Sequence, residues 1–121
     1  MTELKHYIDG KHVKGTSGRF ADVFNPATGE VQYKVPLASA SELAEAVEVA
    51  ARVQPEWAAV NPQRRARVMM KFVDLLNRDM EKLAEALSRE HGKTIPDAKG
   101  DVQRGLEVVE YCIGAPQMLK G

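Results

Sequence analysis

Two hydrophobic periods divide the chain. Up to Pro36 the apolar residues come in short runs separated by turn residues; after Ser39 they recur three and four positions apart. Lys5-His6-Tyr7-Ile8 leads into Asp9-Gly10 and Lys11-His12-Val13 leads out, the pattern of a β-hairpin with a tight turn. Gly15-Thr16-Ser17-Gly18 reads as a connector. Phe20, Val23 and Phe24 supply the next apolar positions. Ala27-Thr28-Gly29-Glu30, behind Asn25-Pro26, predicts a turn, and Val31 to Val35 a further strand ended by Pro36.

The remainder predicts four helices. Ser39 and Glu42 have the spacing of a capping box, with Ser39 as N-cap. Leu43, Val47, Ala50 and Ala51 follow at helical spacing, Pro55 is expected to disturb this helix near its end, and Trp57 to anchor the exit. Asn61-Pro62 is a second start, a capping side chain followed by proline at the first helical position. Val68 or Met69, then Phe72, Val73 and Leu76, form its stripe. Asp79 is the expected cap of a third helix with Met80, Leu83, Ala84 and Leu87 as its apolar face. Gly92 stands where a left-handed residue ends a helix. Thr94 and Pro96 start the fourth, with Ala98, Val102, Leu106, Val109 and Ile113 on one side and Asp101, Arg104, Glu107 and Glu110 exposed. Gly100 and Gly105 each cost a helix about 1 kcal/mol against alanine, which predicts close packing at one of them. Gly114 and Pro116 end or bend the helix. The fold class expected is α+β, with a strand and hairpin segment over 1–38 and a helical segment over 39–121.

Composition narrows the function classes. The 121 residues hold 44% hydrophobic and 28% charged residues, room for one domain with a modest core. Lys plus Arg equals Asp plus Glu, 17 against 17, so nucleic acid, which selects a basic excess, is not an expected partner. No apolar run has membrane-spanning length, and Met1 to His6 is polar, so neither a membrane nor a leader is expected. The single Cys112 cannot form an internal disulfide, which fits a reducing cytoplasm.

The residues that carry chemistry elsewhere have simpler roles at these spacings. Cys112 lies late in a helix, at the end that disfavours a thiolate, and reads as a helix-face residue rather than a nucleophile. His6, His12 and His91 lack the spacing of a zinc set, and no metal is expected. Lys93 follows a glycine, but the Gly-rich strand-first setting of a phosphate loop is missing. Arg64, Arg65, Arg67, Lys71 and Arg78 make one helix basic, and Glu81, Glu85 and Glu90 on the next can answer them. Arg104, read by spacing alone, pairs with Asp101 or Glu107.

In order and spacing, the hairpin, Asn25-Pro26-Ala27-Thr28-Gly29-Glu30, the Ala-rich helix ending at Trp57, the Arg-rich helix and Glu90-His91-Gly92-Lys93 resemble the N-terminal region of the aldehyde dehydrogenase superfamily. His91-Gly92-Lys93-Thr94, Asp97-Ala98, Gly100-Asp101-Val102, Arg104 to Glu110 and Gly114-Ala115-Pro116 are similar to its methylmalonate-semialdehyde dehydrogenase branch, which acylates coenzyme A. The resemblance covers about Tyr7 to Gly121 and implies part of an NAD-binding domain. It also implies an NAD-dependent oxidation of malonate or methylmalonate semialdehyde in which coenzyme A takes the acyl group and carbon dioxide leaves. The family's catalytic cysteine and dinucleotide loop lie downstream of the matching region. The chain is therefore expected to be an inactive N-terminal fragment that binds neither NAD nor coenzyme A by itself. In the family the helix matching Arg104 borders the substrate tunnel, which makes Arg104 a candidate for the semialdehyde carboxylate. An uncovered apolar face is expected on such a fragment, and with it homo-oligomers. Two readings stay open: a non-acylating aldehyde dehydrogenase, and a stand-alone helical interaction module.

Overall fold

A computed structural model describes residues 2–121. Its contacts divide the chain into two compact units, one ending at Ala59 and one spanning Val60–Gly121.

The first unit holds five strands and one helix: β1 (Thr2–Glu3), β2 (His6–Ile8), β3 (Lys11–Val13), β4 (Phe20–Phe24), β5 (Val31–Pro36) and α1 (Ala40–Ala59). β2 and β3 form the expected hairpin, pairing His6 with Val13 and Ile8 with Lys11. Asp9 and Gly10 both take positive φ, 54° and 70°, as a two-residue turn of the right twist requires. β4 and β5 pair antiparallel across the Asn25–Glu30 turn. That turn is closed from within. Asn25 Oδ1 accepts from Ala27 N at 3.0 Å, Asn25 O accepts from Gly29 N at 2.8 Å, and Asn25 N donates to Glu30 O at 2.7 Å. Gly29 supplies the positive φ of 75°. β1, which no apolar pattern announced, adds to the far edge of β5 in parallel, giving the order β1-β5-β4. Gly15 is required for a different reason: a Cβ there would stand 2.6 Å from Pro36 Cβ.

The capping box forms as expected. Glu42 N donates to Ser39 Oγ at 3.2 Å and Ser39 N donates to Glu42 Oε2 at 2.8 Å. The other Glu42 oxygen accepts from Thr16 N at 2.7 Å, so one carboxylate fastens both the helix start and the connector. Those two backbone donors, Ser39 first, lower its pKa from 4.5 to about 2. A carboxyl depressed on folding stabilises fully above its ordinary pKa and loses that contribution as pH falls through the folded value. Stability should therefore drop between about pH 4.5 and 2 more steeply in the parent chain than in Glu42→Gln, read from denaturation midpoints across that range. Equal slopes would dismiss the Glu42 contribution.

α1 departs from one expectation, that of an inward stripe. It runs through Pro55 without ending, and it buries none of its residues. Leu43 and Val47, taken from the period as its inward stripe, are 62% and 59% exposed, and Trp57 is exposed too.

The second unit is helical: α2 (Pro62–Arg78), α3 (Met80–His91), α4 (Ile95–Ile113) and the short α5 (Ala115–Met118). The break expected at Gly114 and Pro116 is the step from α4 to α5, which makes five helices in all instead of four among the described residues. Asn61 Oδ1 caps α2 by accepting from Gln63 N at 2.9 Å. Asp79 precedes α3 but makes no side-chain capping bond; its carboxylate is turned to Arg78 Nη2 at 2.7 Å and Lys82 Nζ at 3.4 Å. The Arg78 guanidinium holds Asp79 below the usual carboxylate range.

α4 packs on both α2 and α3. The buried hydrophobic residues are Ala66, Ala84, Ala98 and Leu106, one or two from each long helix. Small residues at these contacts let the helix axes approach, and Leu106 is the large side chain that fills the centre. The α4 stripe is met in full, with Val102, Val109 and Ile113 half-buried beside Ala98 and Leu106. In α2 Met69, rather than Val68, turns inward, while Phe72 stays exposed. Neither Gly100 nor Gly105 marks a close approach: a Cβ at either would meet nothing within 4 Å.

The chain exposes 8888 Å². A folded protein of this mass exposes about 6,500 Å², and two of half the mass about 7,800 Å² together. Large apolar side chains are part of that exposed surface. Leu43, Val47 and Val53 on α1, and Val68, Met70 and Phe72 on α2, stand uncovered.

Candidate functional site

The site is built where α3 gives way to α4. Gly92 takes φ 84° as the left-handed residue that stops α3, and its N–H donates to Ser88 O at 2.8 Å. Ser88 Oγ then donates to Lys93 O at 2.7 Å, fixing the backbone on the far side of the turn. Thr94 caps α4, its Oγ1 accepting from Asp97 N at 3.4 Å, with proline in the first turn where no N–H is needed. Lys93 is thereby held just outside the α4 N-terminus, and α4 carries Asp101 and Arg104 one turn apart.

These three side chains meet. Asp101 Oδ2 accepts from Lys93 Nζ, and Asp101 Oδ1 accepts from Arg104 Nη1. Lys93, foremost through its hydrogen bond, holds the Asp101 carboxyl below the usual range; Arg104 and His91 act in the same direction against partial burial. Of the two partners that spacing left open for Arg104, the structure selects Asp101. Glu107 is taken by Gln103, whose Nε2 donates to its Oε1 at 3.3 Å. The Arg104 side chain is 78% exposed, and among the described residues Asp101 is its hydrogen-bond partner. Four of its five donors remain for a ligand, enough for the two parallel bonds that a carboxylate accepts from a guanidinium. Sequence spacing paired Arg104 with an acid but gave no sign of Lys93, which lies just before the Thr94 cap and reaches Asp101 along the first turns of α4.

The other candidates stay apart. Cys112 is a free, exposed thiol on α4. Among the described residues no group of three His, Cys, Asp or Glu side chains is placed to hold a metal ion. His6 lies in the first unit, its Nε2 buried, without a hydrogen-bond partner among the described residues, and 4.0 Å from Glu42 Oε1. No helix is long and apolar enough to cross a membrane, again among the described residues.

The family model described as aldehyde dehydrogenase family matches residues 12–121. The chain belongs to the aldehyde dehydrogenase family. A malonate-semialdehyde dehydrogenase of Pseudomonas aeruginosa is 45% identical over all of this chain and 24% of its own length. A protein of Sinorhizobium meliloti 1021, solved with NAD and assigned by inference as a methylmalonate-semialdehyde dehydrogenase, superposes with TM-score 0.95. It is 68% identical, over 97% of this chain and 24% of the other. A methylmalonate-semialdehyde dehydrogenase of Oceanimonas doudoroffii superposes over the whole chain with TM-score 0.96 at 42% identity, covering 25% of that protein. This aldehyde dehydrogenase chain thus spans about a quarter of the length of the relatives it matches. The α+β arrangement of short strands followed by helices is the aldehyde dehydrogenase fold over that span.

The residues present do not form a dinucleotide cradle. A pyrophosphate is held at a Gly-rich turn between a strand and a helix. Here Gly10 and Gly29 serve hairpin turns, Gly18 precedes β4, and Gly92 ends α3. β5 leads to α1 through Leu37-Ala38-Ser39, with no glycine. No residue of this chain is therefore assigned to NAD.

Proposed function

We propose that this chain is the N-terminal segment of an NAD-dependent, coenzyme A-acylating malonate- or methylmalonate-semialdehyde dehydrogenase. The full-length enzyme converts semialdehyde, coenzyme A and NAD to acyl-coenzyme A, carbon dioxide and NADH. The segment supplies the recognition of the substrate's free carboxylate, through Arg104, and is inactive by itself. The likeness to malonate-semialdehyde dehydrogenase over the entire chain supports the substrate class. The observation that carries the site is the guanidinium of Arg104, exposed and anchored on one side by Asp101. The lone free thiol fits a cytoplasmic enzyme. The uncovered apolar faces of α1 and α2 support burial against further protein, including homo-oligomer contacts.

The acylating assignment has a direct assay. The full-length enzyme with malonate semialdehyde and NAD should turn over continuously, to acyl-coenzyme A and carbon dioxide, only when coenzyme A is present. A free acid product at the same rate without coenzyme A would move the protein to the non-acylating class.

One observation favours a second role for Arg104. Its bond to Asp101, one helical turn back, is also the ordinary ion pair of an exposed helix face, of small worth to stability. The two roles separate on substrate preference, not on folding.

A further inference from the structure

We propose that Asp101 is a positioning residue for substrate recognition: it orients the Arg104 guanidinium toward the substrate carboxylate, while Lys93 offsets its negative charge. The inference rests on the reading of Arg104 given above and adds two residues to it.

The geometry gives each Asp101 oxygen one cation, Oδ2 to Lys93 Nζ and Oδ1 to Arg104 Nη1. An acid beside an anion-binding arginine would ordinarily repel the anion. Here two cations flank one anion, so the trio keeps a net single positive charge. The burial is graded to match. The Lys93 side chain is 22% exposed, Asp101 33% and Arg104 78%, so the anchor is inside and the guanidinium outside. The anchor is itself held, because the Gly92 turn and the Ser88 bond to Lys93 O set where Lys93 begins. The remaining charged groups do not compete for the guanidinium. Glu107 is engaged by Gln103, Lys99 by Glu81 on α3, and His91 acts on Asp101 in the same direction as the two cations.

A free arginine loses rotamer freedom when it closes on a ligand. Holding it beforehand removes an ordering cost equivalent to about two- to tenfold in affinity. Asp101 therefore acts on KM for carboxylated aldehydes through Arg104, and not on the reacting atoms.

The test is a double-mutant cycle in the full-length enzyme: Asp101→Ala, Arg104→Ala and the pair, each assayed with malonate semialdehyde and with propanal, which lacks the carboxylate. Asp101→Ala should raise KM for the semialdehyde about two- to tenfold relative to propanal, with kcat little changed. In the Arg104→Ala background it should add nothing. Asp101→Asn, which keeps the side-chain volume but loses the charge on both bonds, should show a smaller shift in the same direction and serves if the alanine variant does not fold. The inference is overturned if KM shifts equally for both aldehydes, if neither variant shifts it, or if the effect persists without Arg104. Those failures differ from failure of the Arg104 reading, in which Arg104→Ala alone would leave the preference between the two aldehydes as it was.

Discussion

Leu106→Ala should remove about 2–5 kcal/mol of stability, measured as a shift in the denaturation midpoint at constant slope. Leu106 is 2% exposed and is the largest fully buried side chain among the described residues. It stands on α4, the helix that packs on both α2 and α3, beside the alanines that bring those helices together. Truncation loses the transfer energy of three carbons and leaves a cavity beside Leu76, Leu83, Val102 and Val109. At roughly 0.05–0.15 kcal/mol per residue, a unit the size of Val60–Gly121 holds about 3–9 kcal/mol, so this one change takes a large share of it. Val108→Ala, on the exposed side of the same helix, is the control and should change stability by no more than about 0.5 kcal/mol. Similar losses for both would mean that the centre of the unit does not lie at Leu106.

Arg104→Ala in the full-length enzyme should lower kcat/KM for malonate semialdehyde about tenfold to a hundredfold relative to propanal. Hydrogen bonds to a charged group contribute roughly 1.5–3 kcal/mol, and every 1.4 kcal/mol is tenfold. The loss belongs mainly in KM, because the carboxylate is bound alike in the ground state and in the oxidation of the aldehyde, before carbon dioxide leaves. Arg104→Lys keeps the charge but not the planar fork, and should recover only part of the preference. If Arg104 serves only the helix surface, turnover of both aldehydes will respond alike, or not at all. A thermal midpoint close to the parent's is expected, since an exposed ion pair contributes little.

How far the sequence reached depended on how local each signal was. Turns and caps were legible because their donors and acceptors lie within a few residues. Asp9-Gly10 formed its hairpin, Asn25 closed its own turn, Ser39 and Glu42 capped each other, and Gly92 stopped α3 in the left-handed region. Asp79 failed as a cap for an equally local reason that type and position did not show: the neighbouring Arg78 took its carboxylate. Close packing expected at Gly100 or Gly105 did not appear, because a glycine in a helix marks a backbone cost without saying what approaches it. The parallel strand β1 escaped because two polar residues carry no period, and their partners, Tyr33 and Lys34, lie far along the chain.

By itself, then, the sequence determined the order of elements apart from β1 and α5, most of their turns and caps, the inward stripe of α4, and the likeness to aldehyde dehydrogenases. The turns, the caps and the stripe follow from chemistry repeated within one or two turns of backbone, whereas the family likeness rests on the order and spacing of motifs from about Tyr7 to Gly121. Only the tertiary structure decided which stripes are covered. Periodicity marks the α1 face and the α4 face in the same way, yet α4 lies against two neighbours and the face of α1 stays open. It also decided which of the two acids open to Arg104 is taken, Asp101, and that Lys93 meets the same carboxylate from just before the Thr94 cap. Burial and long-range charge depend on which surfaces meet, and spacing along the chain does not contain that.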